Sequence, residues 1–247
     1  MLNETFYLDG IDARSAGIQL QAPIEFSEAV PVVEAQTIPG RNGDLIWETG
    51  SYENRGASAS CFCLQKDVEK AISSAGRFLM GKKGYRRLET SDDPDHYWMA
   101  RVANSPQIAM RLRTLAPFDI GFDCKPQRFL KSGEIPIPLD ISVLEAETEI
   151  YNQYGFASKP LFILEADPNE EQRAAIITIN GKSCTIGNIS GNVYIDSDLQ
   201  NVYNEEGNRN MNAVCPDFPV LQAGKNVVSV YGTGYMNVRM IPRWWEL

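Results

Sequence analysis

The stretch IPGRNGDLIWETGSYENR, residues 38–55, decides how this chain is read. It holds glycines at 40, 43 and 50, charges of both signs, one Trp and one Tyr. That mixture suits a loop that cradles phosphate, a loop that binds sugar, or a long hairpin that grips another protein. The phosphate reading fails, because a P-loop needs GxxxxGK[ST] opening a helix and no Lys-Ser or Lys-Thr follows Gly43. GTGYMN near residue 232 fails too, since a strand-like run follows it. The hairpin reading fits the flanks. PVVEAQTIPG leads into Arg41-Asn42-Gly43-Asp44, where Asn-Gly supplies the positive φ angles of a tight turn.

Working outward, ETFYLDGIDARSAGIQL breaks at Asp9-Gly10, a hairpin dipeptide, and resumes at Ile18 and Leu20. GASASCFCL alternates, with Ala57, Ala59, Cys61 and Cys63 on one face and Ser58, Ser60, Phe62 and Leu64 on the other. The spacing of Val68, Ala71, Ile72, Ala75, Phe78 and Leu79 predicts a helix over 66–80, capped by Gly81, with Lys82 and Lys83 near its negative end. Strands are predicted again at YRRLET and YWMARVAN, either side of the acidic turn SDDPD. FDIGFDCKPQRFL alternates through Phe118, Ile120, Phe122 and Cys124, and is expected to stop at Pro126. KSGEIPIPLD, residues 131–140, is the linker candidate. Beyond it, PLFILEA, AAIITING, SCTIG, NVYIDSD, NVVSVYG and MNVRMIP are short strand-like runs at sandwich or barrel spacing, with Asn180-Gly181 marking a hairpin.

The 247 residues leave room for one large or two ordinary domains, and 43% hydrophobic content supplies a core. A formal net charge of -9 argues against binding nucleic acid through its phosphates. It does not exclude nucleic acid passing an acidic wall without sticking. Five scattered cysteines read as buried thiols in a reducing compartment. No signal peptide opens the chain, and no apolar run approaches a membrane span, so folding in a cytoplasm is expected.

Catalytic constellations are scarce. SDDPDH gathers Asp92, Asp93, Asp95 and the sole histidine, His96, and reads as a solvated acidic turn rather than a metal or acid–base site. One histidine leaves most metal-hydrolase and Ser-His-Asp schemes without parts. Cys61, Cys63 and His96 would form a zinc shell only by coincidence. The acidic residues offer many carboxylate pairs, but no local signature selects one. Trp244 and Trp245, in IPRWWEL, read as residues that tie the end down or cover an interface, with sugar stacking as the alternative.

The order of these pieces resembles the distal tail protein (Dit) family of long, non-contractile-tailed phages and prophages. The first part of the resemblance runs from IPGRNGDLIWETGSYENR through GRFLMGKKGYRRLETSDDPDHYWMARV to FDIGFDCKPQRFL. The second runs through KPLFILEA, ITINGKSCTIG, VYIDSD, VYN, FPVLQAGKNVVSV and VRMIPRWWEL. It spans nearly the whole chain, and its specificity lies in the ordered set. It implies a mainly β protein. Residues 1–131 would form a ring-forming β-sandwich or split barrel, tail-tube-like, with one flanking helix. Residues 132–247 would form a galectin-like β-sandwich, with no inserted carbohydrate-binding module.

The resemblance implies a structural hub of the siphovirus tail tip or baseplate, assembled in the host cytoplasm, with no catalysis, cofactor or metal. Six copies would ring a channel for DNA passage and join the tail tube protein to the tail-tip protein or tail-associated lysin. They would also anchor receptor-binding proteins, without contact to a membrane. The stretch 38–55 becomes a hairpin embracing the neighbouring copy. Asn42 and Gly43 make the turn, Arg41 and Asp44 offer charge pairing, and Trp47 and Tyr52 offer apolar anchors. The alternative is a hairpin lying over its own sheet. A second function, from another class, is a carbohydrate-binding adsorption module using Tyr151, Tyr154 or Tyr203. Against it, residues 140–240 lack histidine motifs and a Trp for stacking.

Overall fold

Asp9 and Gly10 take positive φ angles of 53° and 77°, and turn β1 (Phe6–Leu8) back into β2 (Ile11–Asp12). Such local geometry starts the first of two compact units, Met1–Arg128 and Phe129–Glu246, into which the chain divides. The computed structural model describes residues 4–64, 68–104, 115–141, 147–187, 190–209 and 212–247.

The first unit continues through β3 (Ile18–Leu20), β4 (Glu25–Phe26), β5 (Pro31–Gln36), β6 (Leu45–Tyr52) and β7 (Arg55–Leu64). Then come α1 (Val68–Met80), β8 (Arg86–Thr90), β9 (His96–Val102) and β10 (Leu115–Leu130). The main sheet runs β2-β1-β8-β9-β10-β7-β3, with β4 also on β7. Its core shows why the alternating runs matter. Ala57, Ala59 and Cys61 on β7 lie opposite Phe122, Ile120 and Phe118 on β10, so small residues make room for large ones. α1 packs on β7 through buried Ala71, Ala75 and Leu79, with Ile72 and Phe78 half-buried at the edge. Among the described residues it is the only α-helix.

Three local expectations need correction here. Gly81 is not a left-handed cap: its N–H still bonds the Arg77 carbonyl (2.9 Å), and the left-handed glycine is Gly84 (φ 84°). A Cβ at position 81 would overlap that same carbonyl oxygen, which is reason enough for glycine. Lys82 pairs with Asp9 (2.9 Å) instead of serving the helix end. β10 does not stop at Pro126. Its register with β7 ends at Cys124↔Arg55, so Pro126 lies beyond that ladder, where β7 asks nothing of its missing N–H. Residues 66 and 67 of the expected helix lie outside the described residues.

The second unit holds β11 (Ile137–Leu139), β12 (Glu147–Asn152), β13 (Leu161–Ala166), β14 (Ala174–Ile179) and β15 (Lys182–Ile186). It continues with β16 (Val193–Asp196), β17 (Asn201–Asn204), β18 (Ala213–Val214), β19 (Gly224–Thr233), β20 (Tyr235–Ile241) and β21 (Trp245–Glu246). Two five-stranded sheets, β11-β20-β13-β16-β17 and β12-β19-β14-β15-β18, enclose Phe162, Leu164, Ile177, Ile179, Ile195, Val228 and Met240. This is a β-sandwich. Asn180 and Gly181 (φ 50° and 81°) make the β14–β15 hairpin turn, as their dipeptide predicts.

Residues 131–140 are not a linker. Lys131–Glu134 forms a 3-10 turn and β11 pairs with β20 from Ile137↔Met240 to Leu139↔Val238, so the two prolines punctuate an ordered edge strand. Cys184 and Cys215 are not free thiols but a disulfide, with Cα atoms 4.3 Å apart. Cys61, Cys63 and Cys124 are buried thiols, and burial pushes Cys61 and Cys124 up to about 12. Charge is unevenly divided. Residues 1–128 hold 17 acidic and 15 basic side chains, and residues 129–247 hold 15 and 8.

Candidate functional site

Among the described residues, the strands β5 and β6 pair only with each other and form a two-stranded sheet of their own. Their register shows where that ribbon comes from. β4 meets β7 at Glu25↔Ser58 and Phe26↔Ala57. The same alignment continues through Ser27 N–H to Gly56 O (2.9 Å) and Glu53 N–H to Val30 O (2.9 Å), reaching Pro31↔Tyr52. A bulge then shifts it to Val33↔Glu48 and on to Gln36↔Leu45. The arm is therefore an extension of the β4–β7 ladder beyond its sheet, not a flap laid over that sheet.

Both faces of the arm are open. Directly paired residues share a face. One side carries Val33, Ala35, Ile46 and Glu48, and the other carries Glu34, Gln36, Leu45 and Trp47. Ile46 is 60% and Trp47 63% exposed, although they point opposite ways. Val33 and Val30 are also exposed, while Tyr52, near the root, is half-buried. The ribbon thus carries exposed apolar side chains on both of its sides.

The tip differs from its sequence reading. Gly40 (φ 83°) and Gly43 (φ 80°) take the left-handed angles, and Asn42 does not. Arg41 N–H bonds Ile38 O (3.1 Å) across Pro39-Gly40, so Pro39, with its fixed φ, and Gly40 form the tight turn. Asp44 accepts from Thr37 Oγ1 (2.8 Å), which holds the two legs together. The Arg41 side chain has no hydrogen bond or ion pair among the described residues.

The root is braced by residues that no local motif marks. Arg55 lies over the Phe26 ring (5.7 Å), Phe26 stacks on Trp98 (4.2 Å between centroids), and Arg128 lies over Trp98 (5.7 Å). Asp93 accepts from Arg128 Nη2 (2.6 Å) and lies 2.6 Å from His96 Nδ1. Burial raises the Asp93 carboxyl, but its bonds to His96 and Arg128 outweigh that and hold it below the usual aspartate value. SDDPDH is thus more than a solvated turn, since Asp93 and His96 brace Arg128 beside the root. Asn54 Nδ2 bonds Tyr85 Oη (2.6 Å) and Asp123 Oδ1 (3.0 Å), adding a polar clamp. Alternation and turn rules could not find this group, because its members come from five separate segments.

The remaining predicted residues are scattered. Trp244 is buried in the second unit's core, tilted against Tyr154 at 6.2 Å. Trp245 stacks on Phe156 (4.5 Å) and donates to Ala157 O (3.0 Å). Tyr151 is 71% exposed, and Tyr203 stacks on Tyr194 at 5.4 Å. Cys61 and Cys63 lie in the first unit's core. Among the described residues no three His, Cys, Asp or Glu side chains converge as metal ligands, and no helix is long and apolar enough to cross a membrane.

No protein-family profile matches the chain. No curated protein sequence matches it either. Its fold, however, is similar to the crystal structure of Dit (gp 19.1) from phage SPP1, described as a paradigm of the hub adsorption apparatus of phages infecting Gram-positive hosts. The two agree with a TM-score of 0.72 at 15% identity, over 98% of this chain and 99% of that one. The chain has the Dit fold.

Proposed function

We propose that this chain is a structural hub of a phage tail tip, six copies of which close into a ring around a channel. The observation that carries the reading is the arm, rooted in the sheet and exposed on both faces. A contact in which one copy's arm rests on the next copy's body is heterologous, and such contacts close into rings when the rotation fits. The match to Dit over 98% of the chain supports the wider role. That role joins the tail tube to the tail-tip protein and offers attachment for receptor-binding proteins. Arg41 at the tip, Asp44, Trp47 and Tyr52 are the side chains through which the arm would meet its neighbour, with Asn42 and Gly43 shaping the tip.

The charge distribution changes one part of this picture. The first unit, the one that would wall the channel, is nearly balanced as a whole, with 17 acidic and 15 basic residues. That near-balance offers less acid to repel DNA than the whole-chain charge of -9 implies. The acidity belongs instead to the second unit.

Native mass in solution tests the reading. A ring of six copies of 27.6 kDa would weigh about 166 kDa. A trimer remains compatible with assembly completed by a partner. A strict monomer at high concentration, unchanged by an added tail-tip protein, would overturn the proposal.

A further inference from the structure

The outer face of the β11-β20-β13-β16-β17 sheet has no role in the ring reading. The register places Pro138, Arg239, Ile163, Tyr194 and Tyr203 in one row across all five strands. Asn237 and Glu165 form the adjoining pair on the same face. A cleft of about 380 Å³ opens there, lined by Pro138, Asp140, Glu165, Met236, Asn237 and Arg239 among others.

We propose that this cleft binds a neutral saccharide. Sugar hydroxyls both donate and accept, so a site needs fixed groups of both kinds beside an apolar surface. Glu165 supplies the acceptor, while Asn237 and Arg239 supply donors. Both donors already bond the acceptor: Asn237 Nδ2 donates to Glu165 Oε2 (2.9 Å) and Arg239 Nη2 donates to Glu165 Oε1. The geometry is set before any ligand arrives, which lowers the entropy lost on binding. Met236, 54% exposed, and the stacked Tyr194–Tyr203 pair offer apolar faces to sugar C–H groups. From Arg239 to Tyr203 is three strand spacings, roughly 14 Å, enough for two or three sugar rings. Glu165 compensates the one cation, and the unit holds 15 acidic against 8 basic residues, so an anionic glycan is disfavoured.

The site lies within the second unit and does not depend on ring closure. The test uses the full chain on an array of neutral and anionic oligosaccharides, with calorimetric titration of any neutral sugar retained. Glu165→Gln and Asn237→Ala are compared with wild type, each with its melting temperature and native mass. The expected result is submillimolar binding of a neutral oligosaccharide, weakened about tenfold or more by either substitution. Trp47→Ala should leave that binding intact. Asn237→Ala removes an exposed side chain and keeps the test open if the Glu165 variant folds poorly. The proposal is overturned if no neutral sugar binds, if only anionic glycans bind, or if binding ignores both substitutions.

Discussion

Trp47→Ala removes the largest apolar side chain from the arm and should separate assembly from folding. Trp47 is 63% exposed in the single chain. A tryptophan can bury up to ~250 Å², so about 150 Å² remains for a neighbour to cover. At ~25 cal/mol per Å² that is a ceiling near 4 kcal/mol, and truncations at interface centres commonly cost about 2–4 kcal/mol. A loss of about 3 kcal/mol weakens each arm contact roughly a hundredfold. Folding of the single chain should change by no more than ~0.5 kcal/mol, as for most exposed positions. Sedimentation velocity over a dilution series measures the first quantity, and thermal unfolding of the dissociated protein measures the second. Adding Arg41→Glu should complete the loss and leave a folded monomer. Full rings from the double variant at wild-type concentrations would refute the clasp. An unfolded Trp47→Ala monomer would refute the exposure argument beneath it.

Four further outcomes follow from the cores. Burial raises the Asp196 carboxyl, but Arg243 (2.7 and 2.8 Å) and the N–H groups of Leu199 and Asp198 hold it below its ordinary 3.8. The stabilisation is complete above that value and fades as pH falls through the lower folded value. Asp196→Asn should therefore cost about 3 kcal/mol at pH 7 and progressively less as pH is taken below 3.8, read by urea denaturation; a cost that does not change with pH would refute this. Reducing Cys184–Cys215, 31 residues apart, should destabilise the second unit by ~3.5 kcal/mol, measured by denaturation with and without reductant. Cys61 and Cys124, pushed up to about 12, should resist iodoacetamide at pH 8 in the folded protein and react once it is unfolded, as mass spectrometry would show. Gly133→Ala would drive a Cβ into the Trp244 backbone nitrogen and should cost about 2 kcal/mol or more in thermal unfolding.

What could be read from sequence was the local and periodic part. Ala57 to Cys63 and Phe118 to Cys124 alternate because each strand has one face in the core, and Ala71, Ala75 and Leu79 repeat because a helix does. Asp9-Gly10 and Asn180-Gly181 name their turns because their backbone angles are a local cost. The tip at 39–43 misled, because two left-handed glycines competed for one turn and Pro39 favoured the earlier. The Cys184–Cys215 bond and the Phe26–Arg55–Trp98–Arg128 stack join distant segments, so neither leaves a periodic trace. The arm's openness was hidden for a different reason. Val33, Ile46 and Trp47 are residue types that buried strands also use, and only the absent third strand shows them uncovered.

The shared ladder of arm and sheet has a mechanical consequence. One leg, β6, runs through residues 53 and 54 into β7, and the other returns through Val30 toward β4 on the same strand. A pull on the tip is therefore delivered along the β7 axis. Ten register pairs, from Leu115↔Leu64 to Cys124↔Arg55, tie β7 to β10. Antiparallel hydrogen bonds lie across the strands, so an axial load strains them together in shear instead of unzipping them singly. In the proposed ring, a load on one arm would be borne by this whole ladder at once and not by its pairs in turn.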